Sequence, residues 1–245
     1  IDDDFDDGDK AFTVITSPAR SDDDEYNQYD PTDVTGFVLD NDGAGFLTYP
    51  QYNLSVSENG SSVEFTVLLT SRPKSHVIIP LYSSMPSEGI LSKKWIVMNE
   101  DNYKQAQKIK ITGINDNMVD GNQNFTIVTG HSISQDTSYN GIKITNLSVS
   151  NYDNDSARVF IDAADTLFTS EFGTESFFTV RLSSSPFNME LYLEDINSIA
   201  TIPIYIGDDS EGLIDVDKLY FNSQNWNQPQ QITVSGVEDN TADGD

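Results

Sequence analysis

An internal repeat dominates the sequence of this chain. The segment that starts at Ile1 matches the segment that starts at Ile114, and this numbering offset of 113 holds without a gap as far as Pro186. Beyond Pro186 the second copy gains ten residues, within about 187–200, and the offset becomes 123. Matches that keep one spacing over such a length indicate tandem copies of a single structural unit.

The repeat divides the chain into one whole module between two partial ones. Residues 1–42 correspond to the C-terminal part of a module, residues 50–155 to a complete module, and residues 158–245 to the N-terminal part of a following one. Ile1 is not an initiation residue, so the chain is interpreted as a piece of a longer polypeptide. Partial modules expose strand edges. We therefore hypothesise that neighbouring repeats, or copies of the chain, complete each other head to tail into a filament or surface fibre; the alternative is an arbitrary boundary.

Within the complete module, apolar and polar residues alternate, which is the pattern of half-buried β-strands. No segment combines helical periodicity with capping residues. Seven strands are predicted, at residues 52–57, 63–70, 76–82, 95–98, 107–113, 124–129 and 142–150. Seven short strands separated by turn residues predict an all-β fold of tandem immunoglobulin-like antiparallel β-sandwiches.

The charge of the chain restricts its partners. Forty Asp and Glu residues against thirteen Lys and Arg give a formal net charge of -27. Such a surface repels nucleic acid and anionic lipid but attracts divalent cations. The chain has no cysteine, which excludes disulfides and thiolate metal sites, and no apolar run reaches the length of a membrane span. We expect no nucleic-acid partner and no membrane insertion.

Many acidic residues are expected to meet at one end of the sandwich. Because successive strands run in opposite directions, alternate connections and the end of the last strand share a pole. The acids that follow these strand ends are Glu58, Glu88, Asp116, Asp120, Asp153 and Asp155. Carboxylates gathered this closely repel each other unless a cation neutralises them, and calcium prefers six to eight oxygen ligands. The alternative is that they are solvated turn residues, a common role for Asp and Asn.

Short motifs in the chain follow the order of a known family. They are Val56-Ser57-Glu58-Asn59, then Asn115-Asp116-Asn117 with Asp120-Gly121-Asn122 and Phe125, then Asp153-Asn154-Asp155. The complete module resembles the Calx-beta domain of sodium/calcium exchangers and of giant bacterial surface proteins. The first copy, with its acidic run at residues 2–9 before Phe12, is nearer to the family pattern, and residues 210–236 resemble a variant common in long bacterial repeat proteins.

The resemblance implies Ca²⁺ binding by the glutamate of the first turn, the acids between the fifth and sixth strands, and the closing acidic triplet. By position it implicates Glu58, Asp116, Asp120, Asp153 and Asp155 in the complete module, Asp3, Asp7, Asp40 and Asp42 in the first copy, and Glu171, Asp239 and Asp243 in the last. Asparagine replaces the family's aspartate at positions 115, 117, 122 and 154, and only Glu88 stands in for the acid after the third strand. Fewer charges imply weaker binding or fewer ions.

These features favour an extracellular or bacterial cell-surface protein. The expected function is a structural or adhesive repeat array stiffened by calcium, and the alternative is a calcium-dependent adhesin that binds a glycan or a surface protein. Tyr26, Tyr29, Tyr139 and Tyr152 are candidates for a stacking surface, although packing at strand edges is the simpler interpretation. The chain contains no nucleophile, phosphate-loop or zinc motif, and its two histidines have no neighbouring nucleophile, so we expect no enzymatic activity.

Overall fold

The computed structural model describes residues 2–186 and 199–238, and every regular element in these ranges is a β-strand. The strands are β1 (Lys10–Val14), β2 (Val34–Val38), β3 (Phe46–Tyr49), β4 (Leu54–Ser57), β5 (Ser62–Leu69), β6 (Val77–Ser83), β7 (Gly89–Leu91), β8 (Trp95–Met98), β9 (Gln107–Gly113), β10 (Gln123–Thr129), β11 (Ile133–Ser134), β12 (Leu147–Tyr152), β13 (Val159–Asp162), β14 (Glu175–Leu182), β15 (Ala200–Pro203), β16 (Gly212–Ile214), β17 (Lys218–Phe221) and β18 (Gln230–Gly236). The predicted fold class, an antiparallel all-β architecture, is confirmed. Over the same ranges the chain forms no helix long and apolar enough to cross a membrane.

The chain separates into two compact units. The first contains Ile1–Val56, Ser62–Thr112 and Asn124–Val149, and the second contains Ser57–Ser61, Gly113–Gln123 and Ser150–Asp245. Two loops of residues 50–155 therefore group with the segment that follows β12, whereas the body of that module groups with the segment before it. This division places the ends of four strands, β4, β9, β10 and β12, in the second unit.

The first unit is built around two sheets. One has the strand order β3-β5-β9-β7, and the other has the order β11-β6-β10-β12-β4 with β8 paired to β6. Alternate side chains point into the shared core, as the period of two requires. In β5, for example, Phe65, Val67 and Leu69 are buried, and in β9 Ile109 and Ile111 are buried.

The predicted first strand, residues 52–57, is shorter in the structure and is preceded by a strand that the sequence pattern did not reveal. β3 pairs with β5, whereas β4 lies at the edge of the other sheet. Pro50 separates them and has no backbone N–H to donate to a ladder, so the chain leaves one sheet here and continues in the other. The short strands β7 and β11 were not predicted either.

The predicted seventh strand, residues 142–150, begins later, at Leu147. The segment before it turns, because the N–H groups of Tyr139 and Asn140 both donate to the Asp136 carbonyl. Tyr139 itself is fully buried, and its hydroxyl donates to the Ser71 carbonyl. The prediction that Tyr139 contributes to a stacking surface is therefore wrong. The apolar residues of this region fill the core from a loop, which the alternating pattern alone does not distinguish from a strand.

The second unit repeats six strands of the first at the two offsets found in the sequence. Its four-stranded sheet has the order β13-β14-β18-β16, and β15 pairs with β17. Strands β13 and β14 correspond to β3 and β5 at the offset of 113. Strands β15 to β18 correspond to β6 to β9 at the offset of 123. Its core is small and includes Val180, Phe221 and Ile232.

The N-terminal segment contributes an antiparallel two-stranded sheet to the first unit. β1 pairs with β2 in the register Lys10 with Val38 and Val14 with Val34. At the offset of 113, the first residues of β1 and β2 correspond to the first residues of β10 and β12, which are neighbours in the sheet of the complete module. The hairpin is therefore the equivalent of that central strand pair.

Candidate metal centre

Five predicted ligands lie on three loops of the second unit. Glu58 is in the loop Ser57–Ser61, Asp116 and Asp120 are in the loop Gly113–Gln123, and Asp153 and Asp155 follow β12. Carboxylate oxygens of Glu58, Asp153 and Asp155 lie within 4.8 Å of one another, and the same holds for Asp116 and Asp120.

The loop that carries Glu58 is held against its neighbours by backbone hydrogen bonds. The Glu58 N–H donates to the Tyr152 carbonyl at 3.1 Å, and the Gly113 N–H donates to the Ser61 carbonyl at 3.0 Å. A Cβ at position 113 would overlap the Ser57 carbonyl, so the close approach of these loops requires glycine. Glu58 is thereby placed beside the end of β12, where the closing acids begin.

Asp153 connects the other two loops. Its Oδ2 accepts the Gly121 N–H at 2.8 Å, its Oδ1 accepts the Asp155 N–H at 2.7 Å, and its own N–H donates to Asn122 Oδ1 at 3.1 Å. Gly121 has φ +75°, a left-handed conformation that favours glycine. One carboxylate therefore fixes the relative positions of the Asp120 turn and the closing triplet.

Glu58 is an acid in an unfavourable environment for charge. It is 2% exposed, and burial raises its pKa to about 7, with the nearby carboxylates of Asp116, Asp153 and Asp155 acting in the same direction. The Asn154 N–H donates to Glu58 Oε2 at 3.3 Å and opposes this rise in pKa only in part. Burying an acid among other acids is costly unless a cation compensates.

Asp155 shares this environment. Burial raises the pKa of its carboxyl, and Asp153 and Asp116 add to the rise. Its Oδ2 is buried and accepts no hydrogen bond from any residue that the structure describes. Over the same residues, no lysine, arginine or histidine forms an ion pair with Glu58, Asp153 or Asp155. A buried carboxylate oxygen without a donor is suited to a metal ion.

The donor set fits a hard cation. It consists entirely of carboxylate oxygens, the ligand type that calcium prefers, and contains no sulfur or imidazole. The nearby amides of Asn115 and Asn154 bond to each other, since Asn154 Nδ2 donates to Asn115 Oδ1 at 2.9 Å. These asparagines thus join two of the loops without adding negative charge.

The acidic loop Gly113–Gln123 also contacts the chain beyond β14. The Ser185 N–H donates to the Asn117 carbonyl at 2.7 Å, and Met118 forms a parallel bridge with Ser185. The Met118 N–H donates to Asp116 Oδ1 at 2.7 Å in the same turn. The loop that carries Asp116 and Asp120 is therefore joined to the backbone after β14 within the second unit.

The same hydrogen bonds occur one repeat earlier, within the first unit. The Arg72 N–H donates to the Asp4 carbonyl at 2.6 Å, matching Ser185 and Asn117. Asp40 Oδ2 accepts the Gly8 N–H at 2.6 Å, and its Oδ1 accepts the Asp42 N–H at 2.8 Å. These donors lower the pKa of Asp40, whereas burial and the Asp40 charge raise the pKa of Asp42.

The acids of the first copy are more open. Asp3 and Asp7 are exposed, and Asp40 and Asp42 are half-buried. Asp4, which is not among the predicted ligands, has other partners: it accepts a hydrogen bond from the Tyr103 hydroxyl at 2.7 Å and pairs with Lys104 Nζ at 3.0 Å. The signal that could have found this pair was a cation at position 104, but the long separation of the two residues in the sequence conceals it.

The remaining predicted ligands have different outcomes. Glu171 is exposed, and Asp239 and Asp243 lie outside the described residues. Glu88 is buried in the first unit, immediately before β7, and Ser87 Oγ lies 3.5 Å from its Oε1.

Comparisons with known proteins give remote similarities. No family model and no curated protein sequence matches the chain. Among solved structures, the apo form of the Calx CBD1 domain is 16% identical over 46% of this chain and all of that chain, with a TM-score of 0.37. The calcium-binding domain CBD12 of CALX1.1 is 16% identical over 80% of this chain and 76% of that chain (TM-score 0.35), and domains 1–6 of surface layer protein SbsC are 10% identical over 84% and 23% (TM-score 0.27).

Proposed function

We propose that this chain is a structural part of an extracellular or cell-surface repeat array in which calcium stiffens the junction between modules. The observation that carries the proposal is the position of buried Glu58 beside Asp153 and Asp155, in loops that are hydrogen-bonded to the loop that contacts Ser185 of the following module. An ion held there would bind loops of one module while the adjacent backbone contacts the next.

The residues of the site have different roles. Asp153 orients the site through its hydrogen bonds to Gly121 and Asp155. Glu58 and Asp155 supply buried oxygens, and Asp116 and Asp120 form an acidic pair on the neighbouring loop. Bound calcium supplies positive charge; without it, repulsion between the carboxylates loosens the three loops.

The test compares thermal unfolding and small-angle scattering in calcium and in chelator. Calcium at one hundred times its Kd is expected to stabilise the chain by about 2.7 kcal/mol and to narrow the distribution of shapes. Glu58→Gln and Asp155→Asn should remove most of this gain, and the exposed Asp101→Asn is the matched control. Superimposable melting and scattering curves in calcium and chelator would refute the proposal.

A second candidate function is adhesion. Tyr26, Tyr29 and Tyr152 are exposed, and Tyr26 and Tyr29 belong to a turn closed by the Gln28 N–H to the Ala19 carbonyl. Exposed aromatic rings are suited to stacking on a sugar or packing on a protein surface. A glycan array probed with and without chelator separates adhesion from a purely structural role, because only the adhesin gives calcium-dependent binding.

A further inference from the structure

Strand β8 forms an open edge of the sheet that contains β6. It pairs with β6, and no other strand pairs with it in the part of the chain that the structure describes. Its sequence is Trp-Ile-Val-Met. Edge strands that stay unpaired are usually protected by a charged side chain, a proline or a bulge. β8 contains no charged residue and no proline, so its edge is suited to pairing with another strand.

Half of the main-chain groups of β8 point away from β6. The Lys94 carbonyl accepts the Leu81 N–H at 2.8 Å, so the main chain at Lys94 faces β6. Because this direction alternates along a strand, Ile96 also faces β6, whereas the N–H and C=O groups of Trp95 and Val97 point outward. These outward groups are in position to pair with an added antiparallel strand.

The side chains of Trp95 and Val97 lie on an exposed face without charge. Trp95 is 60% exposed and lies opposite Pro80, and Val97 is 42% exposed and lies opposite Ile78. Ile133, which is 57% exposed, lies opposite Ile78 on the other side of β6. The six strands of this sheet contain no Asp, Glu, Lys or Arg. Such a face lets a second copy of a chain with net charge -27 approach with little repulsion.

Charged residues of opposite sign flank β8. Lys93 and Lys94 precede the strand, Glu100 and Asp101 follow it, and all four are exposed. Glu100 also pairs with Arg72 at 3.2 Å, whereas Asp101 forms no ion pair with any described residue. Antiparallel pairing of two identical strands puts the lysines of each copy beside the acids of the other, and parallel pairing would align like charges. The segment is therefore complementary to itself in the antiparallel orientation.

We propose that two copies of this chain associate through antiparallel pairing of their β8 strands, which joins two sheets into one across a twofold axis. The contact is isologous, since each copy uses the same surface, and it closes at a dimer. Main-chain hydrogen bonds supply affinity in such strand addition, and side chains supply specificity. The order of charges around β8 identifies the occupant of the edge as a second copy.

The main-chain groups that remain free select the register. The Asn99 N–H already donates to Asn102 Oδ1 at 2.7 Å, so the new ladder is confined to β8 itself. With Ile96 at the twofold axis, Trp95 of each copy lies opposite Val97 of the other, on the same face of the sheet. An aromatic residue opposite a β-branched one stabilises a sheet.

The equivalent strand of the second unit does not have these features. β17 corresponds to β8 at the offset of 123, and Lys218 takes the position of Trp95. The uncharged residues Ser223 and Gln224 take the positions of the two acids. A charge within an edge strand opposes pairing, so the association is expected at β8 and not at β17. The contact uses no residue of the metal centre, so failure of this proposal and failure of the calcium proposal are distinguishable.

Reversal of two flanking charges tests the orientation. In the proposed register, Lys93 of each copy is a diagonal neighbour of Asp101 of the other, within reach of long side chains. Lys93→Glu alone and Asp101→Lys alone place like charges together, so each should raise the dimer Kd by about tenfold in analytical ultracentrifugation. An equimolar mixture of the two variants restores opposite charges and should form a heterodimer with nearly the original Kd. A mixture that associates no more tightly than the separate variants overturns the proposal.

Cross-linking tests the register, because the chain has no cysteine of its own. Trp95→Cys and Val97→Cys chains, mixed and oxidised, are expected to form a disulfide-linked heterodimer, since opposite residues of a ladder lie within the Cα separation of a disulfide. Tyr82→Cys mixed with Val97→Cys is the matched control, because Tyr82 is 57% exposed on the same face but lies on β6, one strand from the edge. Equal cross-linking in both mixtures overturns the pairing.

Light scattering tests the association itself. The molar mass of the full chain is expected to rise with concentration to that of a dimer and no further. Val97→Lys puts a charge into the edge strand and should raise the dimer Kd by about tenfold. Leu47→Lys, at a 58% exposed position on β3 of the other sheet, should leave it unchanged. A single-chain mass at every concentration, or equal effects of the two substitutions, contradicts pairing through β8.

Discussion

At the scale of single residues, Glu58 is the most informative side chain. A glutamate in the first turn of a sandwich is ordinarily solvated, and nothing in its own sequence neighbourhood distinguishes it from other turn acids. Its burial arises from the loops packed around it, and its interaction with Asp116, Asp153 and Asp155 arises from residues that are distant in the sequence. Its protonation should therefore report on the whole site.

In metal-free protein, Glu58 makes stability depend on pH. Its folded pKa of about 7 lies above its ordinary value of 4.5, so folding favours the protonated form. This contribution is fully present below pH 4.5 and is lost as the pH rises to 7. The free energy of unfolding is measured by urea unfolding from pH 4.5 to 7.5. Glu58→Gln should reduce its change over this range by about 1–3 kcal/mol. Parallel profiles of the two proteins would contradict the assignment.

The aspartates whose pKa values are lowered do not contribute to the pH dependence of stability in this range. Asp4, Asp40, Asp208 and Asp215 are held below the ordinary aspartate value of 3.8 by hydrogen bonds. Their stabilising contributions are present above pH 3.8 and are lost only in more acidic solution. The window between pH 4.5 and 7 therefore isolates the groups whose pKa values are raised.

At the scale of strands and loops, the repeat is visible in the backbone conformation and contacts of equivalent glycines. The left-handed glycines Gly8 and Gly121 occupy equivalent positions of successive copies, and so do Gly60 and Gly173. The contact of Gly113 with the Ser57 carbonyl recurs between Gly236 and the Ser170 carbonyl. Such positions are visible in sequence as glycines, but the carbonyl that Gly113 or Gly236 accommodates is not.

Gly113→Ala tests whether this close approach supports the acidic loops. The added Cβ would overlap the Ser57 carbonyl and force the loops apart, so we expect a loss of about 1–3 kcal/mol in stability together with weaker calcium binding. Gly43→Ala is the control, because a Cβ there meets nothing within 4 Å. Calorimetric titration with calcium and thermal melting provide the two readouts, and equal values for both variants would contradict this role of Gly113.

At the scale of the whole molecule, net charge sets the response to ions. Acidic residues exceed basic ones by 27 across the chain, so folding in chelator works against self-repulsion. Both screening by any salt and specific binding of calcium reduce this repulsion, and the two effects have different concentration dependence.

Melting temperatures at matched ionic strength separate these effects. Sodium chloride in chelator is expected to raise the melting temperature gradually, whereas calcium should raise it more at the same ionic strength and then saturate. Magnesium is the control for divalent charge. It is a smaller ion that requires octahedral coordination and gives up its bound waters reluctantly. Identical curves for the two divalent ions would indicate screening without a site.

The sequence by itself determined the all-β architecture, the offsets of 113 and 123, and the acidic residues at the strand ends. These depend on local alternation and on spacing along the chain, which can be read from one dimension. Only the tertiary structure decided that Glu58 is buried, that Asp153 bridges two loops, that Asp4 pairs with Lys104, and that the first predicted strand divides at Pro50. These outcomes depend on which distant segments pack together, because burial and electrostatic interaction are set by neighbours in space.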